Sequence, residues 1–320
     1  MREELPVPDA SVVVPTHNRR RLARLTVRSL LSQVGVDLEV IVVDDGSVDG
    51  TADAFRSLSD ERIKIVRNDV AQGVSAARDR GRSEARGDWV AFCDDDDLWA
   101  RTKLQRQILA ADASRRAWAY VGVINVDDDL KVVSGRPPPS PDDVMRALPH
   151  YNAIPGGGSN VIVRAELLKR MPPFDRRLKN TEDWEMWIRL AAEGPPAYDP
   201  RPLMAYRIHS GNASLDAKAI LMGVRLIEQT HRTSADMGMI HRWLGESSLR
   251  TGDRRAALKH LVLAAMNGES RGVGGDIRAI LRRKVARFRW SGPGEKVRQD
   301  YADWRSQANG WLAELRSWER

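Results

Sequence analysis

A short apolar run, Trp89-Val90-Ala91-Phe92-Cys93, ends in four consecutive aspartates, Asp94 to Asp97, and this junction constrains the fold more than any other segment. An apolar run of that length, bounded by polar residues, reads as a buried strand of a parallel sheet. Four like charges at its carboxyl end repel one another and must shed water beside a hydrophobic interior, which a fold tolerates where a cation sits among them. In an open α/β sheet the carboxyl ends of the strands are also where ligands bind. The cluster therefore predicts a divalent metal, and a metal there predicts a phosphate-bearing substrate. A helix N-terminus that favours acids accounts for Asp97 before Leu98-Trp99, but poorly for all four.

The preceding sequence supplies the rest of such a sheet. Strands are expected over Ser11 to Pro15, Leu38 to Val43, Ile63 to Val66 and Trp89 to Cys93, with helices over Arg20 to Gln33, Thr51 to Leu58 and Ser75 to Ala85 between them. This alternation specifies a parallel, doubly wound sheet. Further on, helices are expected over Arg101 to Ala113, from Ala165, and over Thr181 to Ala192. Strands are expected over Tyr120 to Val126, Lys131 to Ser134, Asn160 to Val163 and Leu203 to His209. Asp127 to Asp129 reads as a solvated turn, Arg136 to Pro141 as a rigid exposed loop, and Ile154 to Gly158 as a flexible one.

From Leu215 the strand signals stop. A helical hairpin with tetratricopeptide-like spacing is expected over about 240–267, a basic amphipathic helix over about 276–290, and a terminal helix over about 295–319. The expected organisation is thus a catalytic domain over 1–214 and an all-α C-terminal extension over 215–320. The apolar face of the basic helix fits an anionic membrane surface, a second subunit, or docking on the catalytic domain.

Composition excludes several classes. The single cysteine, Cys93, rules out a disulfide framework and a Cys-based zinc site, and suits a reducing cytoplasm. No stretch approaches the roughly 20 apolar residues that span a bilayer, and the first residues lack an apolar signal core. A cytoplasmic protein, peripheral at the inner face of the membrane at most, is expected. The net charge of +7 comes with no nucleic-acid-binding motif, so no nucleic-acid partner is expected.

Three polar strand ends carry chemistry: Pro15-Thr-His-Asn-Arg19, Asp44-Asp45-Gly-Ser-Val-Asp-Gly-Thr51 and the aspartate cluster. In a parallel sheet all three meet on one rim. With Gly73-Val-Ser-Ala-Ala-Arg78, Glu182-Asp183-Trp184 followed by Arg189, and Tyr206-Arg207-Ile-His209 with Ser214, they resemble glycosyltransferase family 2 from about Ser11 to Ser214. The resemblance implies a GT-A fold, Rossmann-like with a mostly parallel sheet flanked by helices. It implies an inverting, non-processive transfer of a sugar from a nucleotide diphosphate to an acceptor hydroxyl.

Residue by residue, the resemblance implies that Asp45 receives the nucleotide base, whose imide N–H in uracil or thymine suits a carboxylate and favours a UDP-sugar. Pro15, Thr16, Asn18 and Arg19 line the same nucleotide pocket, and Arg78 points toward nucleotide or phosphate. Asp94 lies near the ribose and Asp96 ligates Mn2+ or Mg2+ as the outer positions of the Asp-x-Asp motif, with His209 as a further contact to metal or phosphate. Asp183 matches the general base, and Gly158, Glu182 and Trp184 are assigned to the acceptor side. Asp95, grouped with the nucleotide residues, stands where the family has a small or apolar residue. No Gln-x-x-Arg-Trp motif exists, which disfavours a processive synthase. The acceptor is a glycan, a lipid-linked sugar or a small molecule, as in cell-surface glycan synthesis. Two other readings are a decayed transferase scaffold that binds nucleotide or a partner, and a sugar nucleotidyltransferase. The latter lacks its Gly-rich loop after the first strand.

Overall fold

The structure is a computed structural model that describes residues 7–209, 211–212, 216–250, 252–269, 277 and 295–318. The boundary at 214/215 and, apart from Ile277, the expected basic helix over about 276–290 lie outside the described residues.

Strands β1 (Ala10–Thr16) and β2 (Leu38–Asp45) are buried along their whole length. Their Val-rich runs suit a strand covered on both faces. With β3 (Ile63–Asn68) and β4 (Trp89–Phe92) they form a parallel block in the order β3-β2-β1-β4. Helices α1 (Arg20–Leu31), α2 (Thr51–Arg56) and α3 (Val74–Ser83) make the crossovers. Because Val13 pairs with both Ile41 and Phe92, the carboxyl ends of β1, β2 and β4 lie level on one rim.

Past β4 the sheet turns mixed, a departure from a purely parallel design. β8 (Ile162–Arg164) runs antiparallel to β4 and to β6 (Trp118–Val126), and β9 (Ala197–Arg207) runs parallel to β6. The carboxyl end of β9 therefore reaches the same rim and delivers His209 there. β5 (Leu98–Trp99) pairs antiparallel with β9, and β7 (Val132–Arg136) returns along β6.

Three elements differ from expectation. Leu98 and Trp99 form a two-residue strand, β5, that the sequence pattern does not announce and that replaces the alternative of a helix N-terminus at Asp97, because both side chains are buried against β9 and its neighbours. Helix α5 (Pro141–Ala147) begins inside the expected Pro-rich loop. Its Ser140 hydroxyl accepts the Asp143 amide at 3.2 Å, and Pro141 takes the first helical position. β9 starts six residues before Leu203 and runs through Pro200 and Pro202, and register shifts on either side of Gly122 absorb the missing donors.

Helices α4 (Lys103–Ser114), α6 (Ala165–Arg170) and α7 (Glu182–Glu193) pack on the sheet. α8 (Ala217–His231) buries Ile220, Val224 and Ile227 in the same core as Trp184 and Trp187. α9 (Met237–Arg250) and α10 (Arg254–Met266) form the expected hairpin, and Ile240 and Leu244 join it to that core. α11 (Glu295–Trp318) lies over β6, β7 and β9, burying Trp304, Ala308, Leu312 and Leu315 against Ile124, Leu130 and Val132. Among the described residues no helix is long and apolar enough to cross a membrane.

Candidate active site

The loop after β1 and the loop after β2 are stitched together at the rim. Asn18, held at a φ of 53°, donates its amide to Ser47 Oγ at 2.9 Å and accepts the Val48 amide at 2.8 Å. His17 Nδ1 lies 2.7 Å from the Asp45 carbonyl, which can only accept, so Nδ1 carries the proton and Nε2 accepts from the Asn18 amide group. Pro15 and Thr16 close β1 beneath these contacts.

Asp45 ends β2, buried. It accepts Asn68 Nδ2 at 2.7 Å, the Gln72 amide at 2.9 and 3.0 Å and the Gly73 amide at 2.8 Å. A carboxylate offers about four lone-pair positions, so these three donors leave about one for a ligand. Asn68 was not among the expected site residues, although it ends the third strand on the same rim.

The four aspartates meet four different environments. Asp94 is the most open of them, with its side chain 35% exposed; its amide donates to Ser159 Oγ at 2.9 Å and its carboxylate accepts Arg78 Nη2 at 2.6 Å. Asp95 is buried and accepts the Thr16 hydroxyl at 2.7 Å and Arg19 Nη1 at 3.3 Å. Burial, then repulsion from Asp96, push it up to about 7 against the pull of Arg19 and Thr16. Burial also raises Asp96, but its bonds to His209 Nε2 at 2.9 Å and Arg19 Nη1 at 2.5 Å prevail and hold it below the usual carboxylate range. Asp97 is fully buried; burial and its neighbours Asp96 and Asp94 push it well above that range. Behind the cluster lies Lys103, which no sequence motif singles out. Its Nζ donates to Gln107 Oε1 at 2.8 Å and sits 3.7 Å from the Trp99 ring centroid, and burial lowers it to about 7.

The Gly211 amide donates to His209 Nδ1 at 3.0 Å, so Nε2 carries the proton that Asp96 accepts. In this arrangement His209 orients Asp96 from outside instead of presenting a lone pair to a metal. Among the described residues no three His, Cys, Asp or Glu side chains form a ready cage. The donor set still fits a hard divalent cation: Asp96 and Asp94 offer carboxylate oxygens, and the Arg19 guanidinium already stands between Asp95 and Asp96 as a stand-in cation.

Asp183 lies in the first turn of α7. Its Oδ1 accepts the Trp184 amide at 2.7 Å, and Asn152 Nδ2 reaches Oδ2 at 3.5 Å. Burial, then repulsion from Glu182, push the carboxyl up to about 7, while Arg78 opposes them. The helix is not capped by Thr181, whose buried hydroxyl makes no hydrogen bond among the described residues. Gly157, at a φ of 54°, runs so close that a Cβ there would fall 2.8 Å from Asp183 Oδ2.

Four expected roles change. Arg78 is fully buried, with Nη1 on Glu182 Oε1 and Nη2 on Asp94 Oδ1, both at 2.6 Å, so it does not present its guanidinium to an open phosphate pocket. Glu182 is buried and committed to Arg78, and Gly158 lies on the same guanidinium, where a Cβ would fall 2.6 Å from Nη2. Trp184 is a core residue whose indole N–H donates to the Leu148 carbonyl at 2.7 Å. None of Gly158, Glu182 and Trp184 lines an open acceptor cleft. The structure does bring Asp94, Arg78, Glu182, Asp183 and the Gly157–Asn160 turn into one connected cluster beside Arg19, Asp95 and Asp96.

A family model described as "Glycosyl transferase family 2" matches residues 11–171. The chain is 28% identical over 207 residues to the UDP-Glc:alpha-D-GlcNAc-diphosphoundecaprenol beta-1,3-glucosyltransferase WfaP of Escherichia coli, covering 64% of this chain and 79% of that one. Its fold is similar to S. aureus TarS 1-349 in complex with UDP-GlcNAc, with a TM-score of 0.57, 17% identity and coverage of 97% and 92%. It is also similar to the mannosyltransferase PcManGT from Pyrobaculum calidifontis in complex with GDP-Man and Mn2+, with a TM-score of 0.54, 18% identity and coverage of 98% and 88%. The fold is GT-A, with helices appended at its C-terminal end.

Proposed function

The chain belongs to glycosyl transferase family 2, whose members transfer sugar from a nucleotide-sugar donor, and from that premise we propose that it is an inverting, divalent-metal-dependent transferase using a UDP-sugar, with Asp183 as general base. The observation that carries this reading is the Asp183 carboxyl: raised to about 7, and next in the chain to Glu182, which the Arg78 guanidinium bridges to Asp94 of the aspartate cluster.

A base that titrates near the working pH is both available and basic enough to accept a hydroxyl proton. Asp183 Oδ2, on the Asn152 and Gly157 side, takes that proton as the acceptor oxygen attacks the anomeric carbon opposite the diphosphate. Asp45 uses its remaining lone pair for the imide N–H of uracil, while Asn18 and Ser47 fix the loop over it. Asp96, oriented by His209, and Asp94 would hold Mn2+ or Mg2+, which when bound supplies positive charge for the diphosphate leaving group. Arg19, which stands beside Asp95 and Asp96, would offer its guanidinium to the same phosphates. The named relative acts on a diphosphoundecaprenol-linked sugar, so a lipid-linked acceptor and work at the inner face of the membrane are the favoured assignment. Residues 215–320 are proposed as a helical appendage to the catalytic domain.

Calorimetric titration with UDP, CDP, GDP and ADP, each with and without Mn2+, tests the donor side. UDP should bind best, its affinity should rise with Mn2+, and Asp96→Asn should abolish that rise. Metal-independent binding, or none by any nucleotide, would overturn the reading.

A further inference from the structure

Arg78 is an almost fully enclosed cation at the site, and it touches three separate segments. From α3 it reaches Asp94 at the end of β4, Glu182 at the start of α7, and the backbone of Gly158 between them. The ring of Phe174 lies against it, 5.8 Å from the guanidinium carbon to the ring centroid. Two planar hydrogen bonds from one guanidinium to two different carboxylates fix the separation and orientation of those carboxylates. Asp94 belongs to the donor side and Glu182 adjoins the base.

We propose that Arg78 is a positioning residue that sets the register between the donor-side Asp94 and the base Asp183. Its partners leave no face of the guanidinium turned to an open phosphate. Among the described residues its Nε and the second oxygen of Glu182 are both buried without a partner, so the pair is held by the fold at some cost in unmet hydrogen bonds. Gly158 is part of the same device: only a residue without a Cβ lets the turn lie on Nη2. Displacing a base by about 1 Å can cost about 10²-fold in rate, which is the size of effect such a register can control. The inference rests on Asp183 being the base.

The test compares Arg78→Lys, Arg78→Met and the charge-balanced pair Arg78→Met with Glu182→Gln, in the full chain, for Mn2+–UDP affinity and for transfer. Arg78→Met alone leaves Asp94 facing Glu182 and can fail to fold; the balanced pair removes that repulsion and keeps the comparison available. All variants that fold should bind Mn2+–UDP within about threefold of wild type while kcat falls about 10²-fold. The pH profile separates positioning from bulk stability. Asp183 is faced by Glu182 on its own helix, Arg78 from α3, Asp94 from the β4 loop and the neutral Asn152. Removing only the cation should move the acid limb of kcat to higher pH. Removing cation and Glu182 together should return the limb toward its wild-type position and leave kcat low. A loss of UDP affinity above about tenfold with kcat retained would assign Arg78 to the phosphates and overturn the proposal. Full transfer by Asp183→Asn in the same assay would instead overturn the base assignment, whatever the Arg78 variants do.

Discussion

Replacing Asp183 by Asn should stabilise the protein increasingly as pH rises, while stopping transfer. The Asp183 carboxyl is held at about 7 by burial and by Glu182, whereas in an unfolded chain an aspartate titrates at about 3.9. A group whose folded value is raised withdraws stability as pH climbs from the unfolded value through the folded one, because charge must then be carried in the enclosed site. With about 7 folded and about 3.9 unfolded, linkage gives a penalty of about 1.5 kcal/mol at pH 5 and about 4 kcal/mol at pH 8. Asn carries no such penalty at either pH. Other titrating groups are common to both proteins, and those remote from the site cancel in the difference. The advantage of Asn over Asp should therefore grow by about 2.6 kcal/mol between pH 5 and pH 8. Asp183 keeps partial contact with solvent, so screening makes this figure an upper bound. Urea denaturation of both proteins at the two pH values reads the growth directly. Wild-type kcat should rise with pH through about 7, and the variant should lose about 10²–10⁴-fold above that pH, with a smaller loss below it and Mn2+–UDP affinity kept. A stability difference that stays flat from pH 5 to pH 8 would show that the carboxyl is not held near neutrality, and the argument for its role as base would go with it.

Two further outcomes follow from the packing. Gly157→Ala places a Cβ 2.8 Å from Asp183 Oδ2 in a left-handed backbone conformation; steady-state kinetics should show kcat down about 10²-fold, and denaturation a loss of about 1 kcal/mol, and an unchanged kcat would mean the turn does not hold the base. Trp304→Ala removes a buried indole that lies on Gly122 and Gly135 and donates to the Pro200 carbonyl at 2.8 Å; it should cost about 3–5 kcal/mol and open α11 to limited proteolysis, whereas a loss below about 1 kcal/mol would mean the helix contributes little to the fold.

The rim was legible because strand ends follow from apolar runs and their polar stops, and parallel pairing aligns those ends whatever the loops do. Thr16, Asp45, Asn68 and the aspartates reach one edge for that reason alone. β5 was not legible: two residues carry no period, and Leu98-Trp99 is a strand only because β9 lies beside it. α5 was legible in principle, since Ser140-Pro141-Asp142-Asp143 is a capping signature, but three prolines before it weighted the segment toward a loop. The fates of Arg78, Glu182 and Trp184 lie beyond any local signal. Whether an arginine faces phosphate or is consumed by carboxylates depends on residues 94, 158 and 182 meeting, and that is a property of the assembled sheet. Trp184 shows the same limit from the other side: an indole beside a base reads as a sugar platform until its N–H is found on the Leu148 carbonyl.

The aspartate cluster shows how environment changes an argument made from charge. Four carboxylates at a strand end demand a cation if all four are ionised. Burial pushes Asp97 well above the usual carboxylate range and raises Asp95 to about 7, while His209 and Arg19 favour the charged form of Asp96. The cluster therefore carries much less charge than its sequence suggests, and Arg19 offsets part of what remains. Asp95, where the family has a small residue, has a role of its own: its carboxylate ties Thr16 to Arg19 and its carbonyl accepts the Thr26 hydroxyl at 3.0 Å, so it braces the β1 turn instead of reaching for the metal. The case for a divalent ion accordingly moves from neutralising the protein to neutralising the substrate. A diphosphate brought to Asp94 and Asp96 adds negative charge where the adjacent guanidiniums, Arg19 and Arg78, are already paired with carboxylates, and that repulsion is what a metal bound together with the nucleotide removes. It follows that metal should bind weakly to the free enzyme and tightly with UDP, whereas a site built to neutralise four carboxylates would bind it tightly alone.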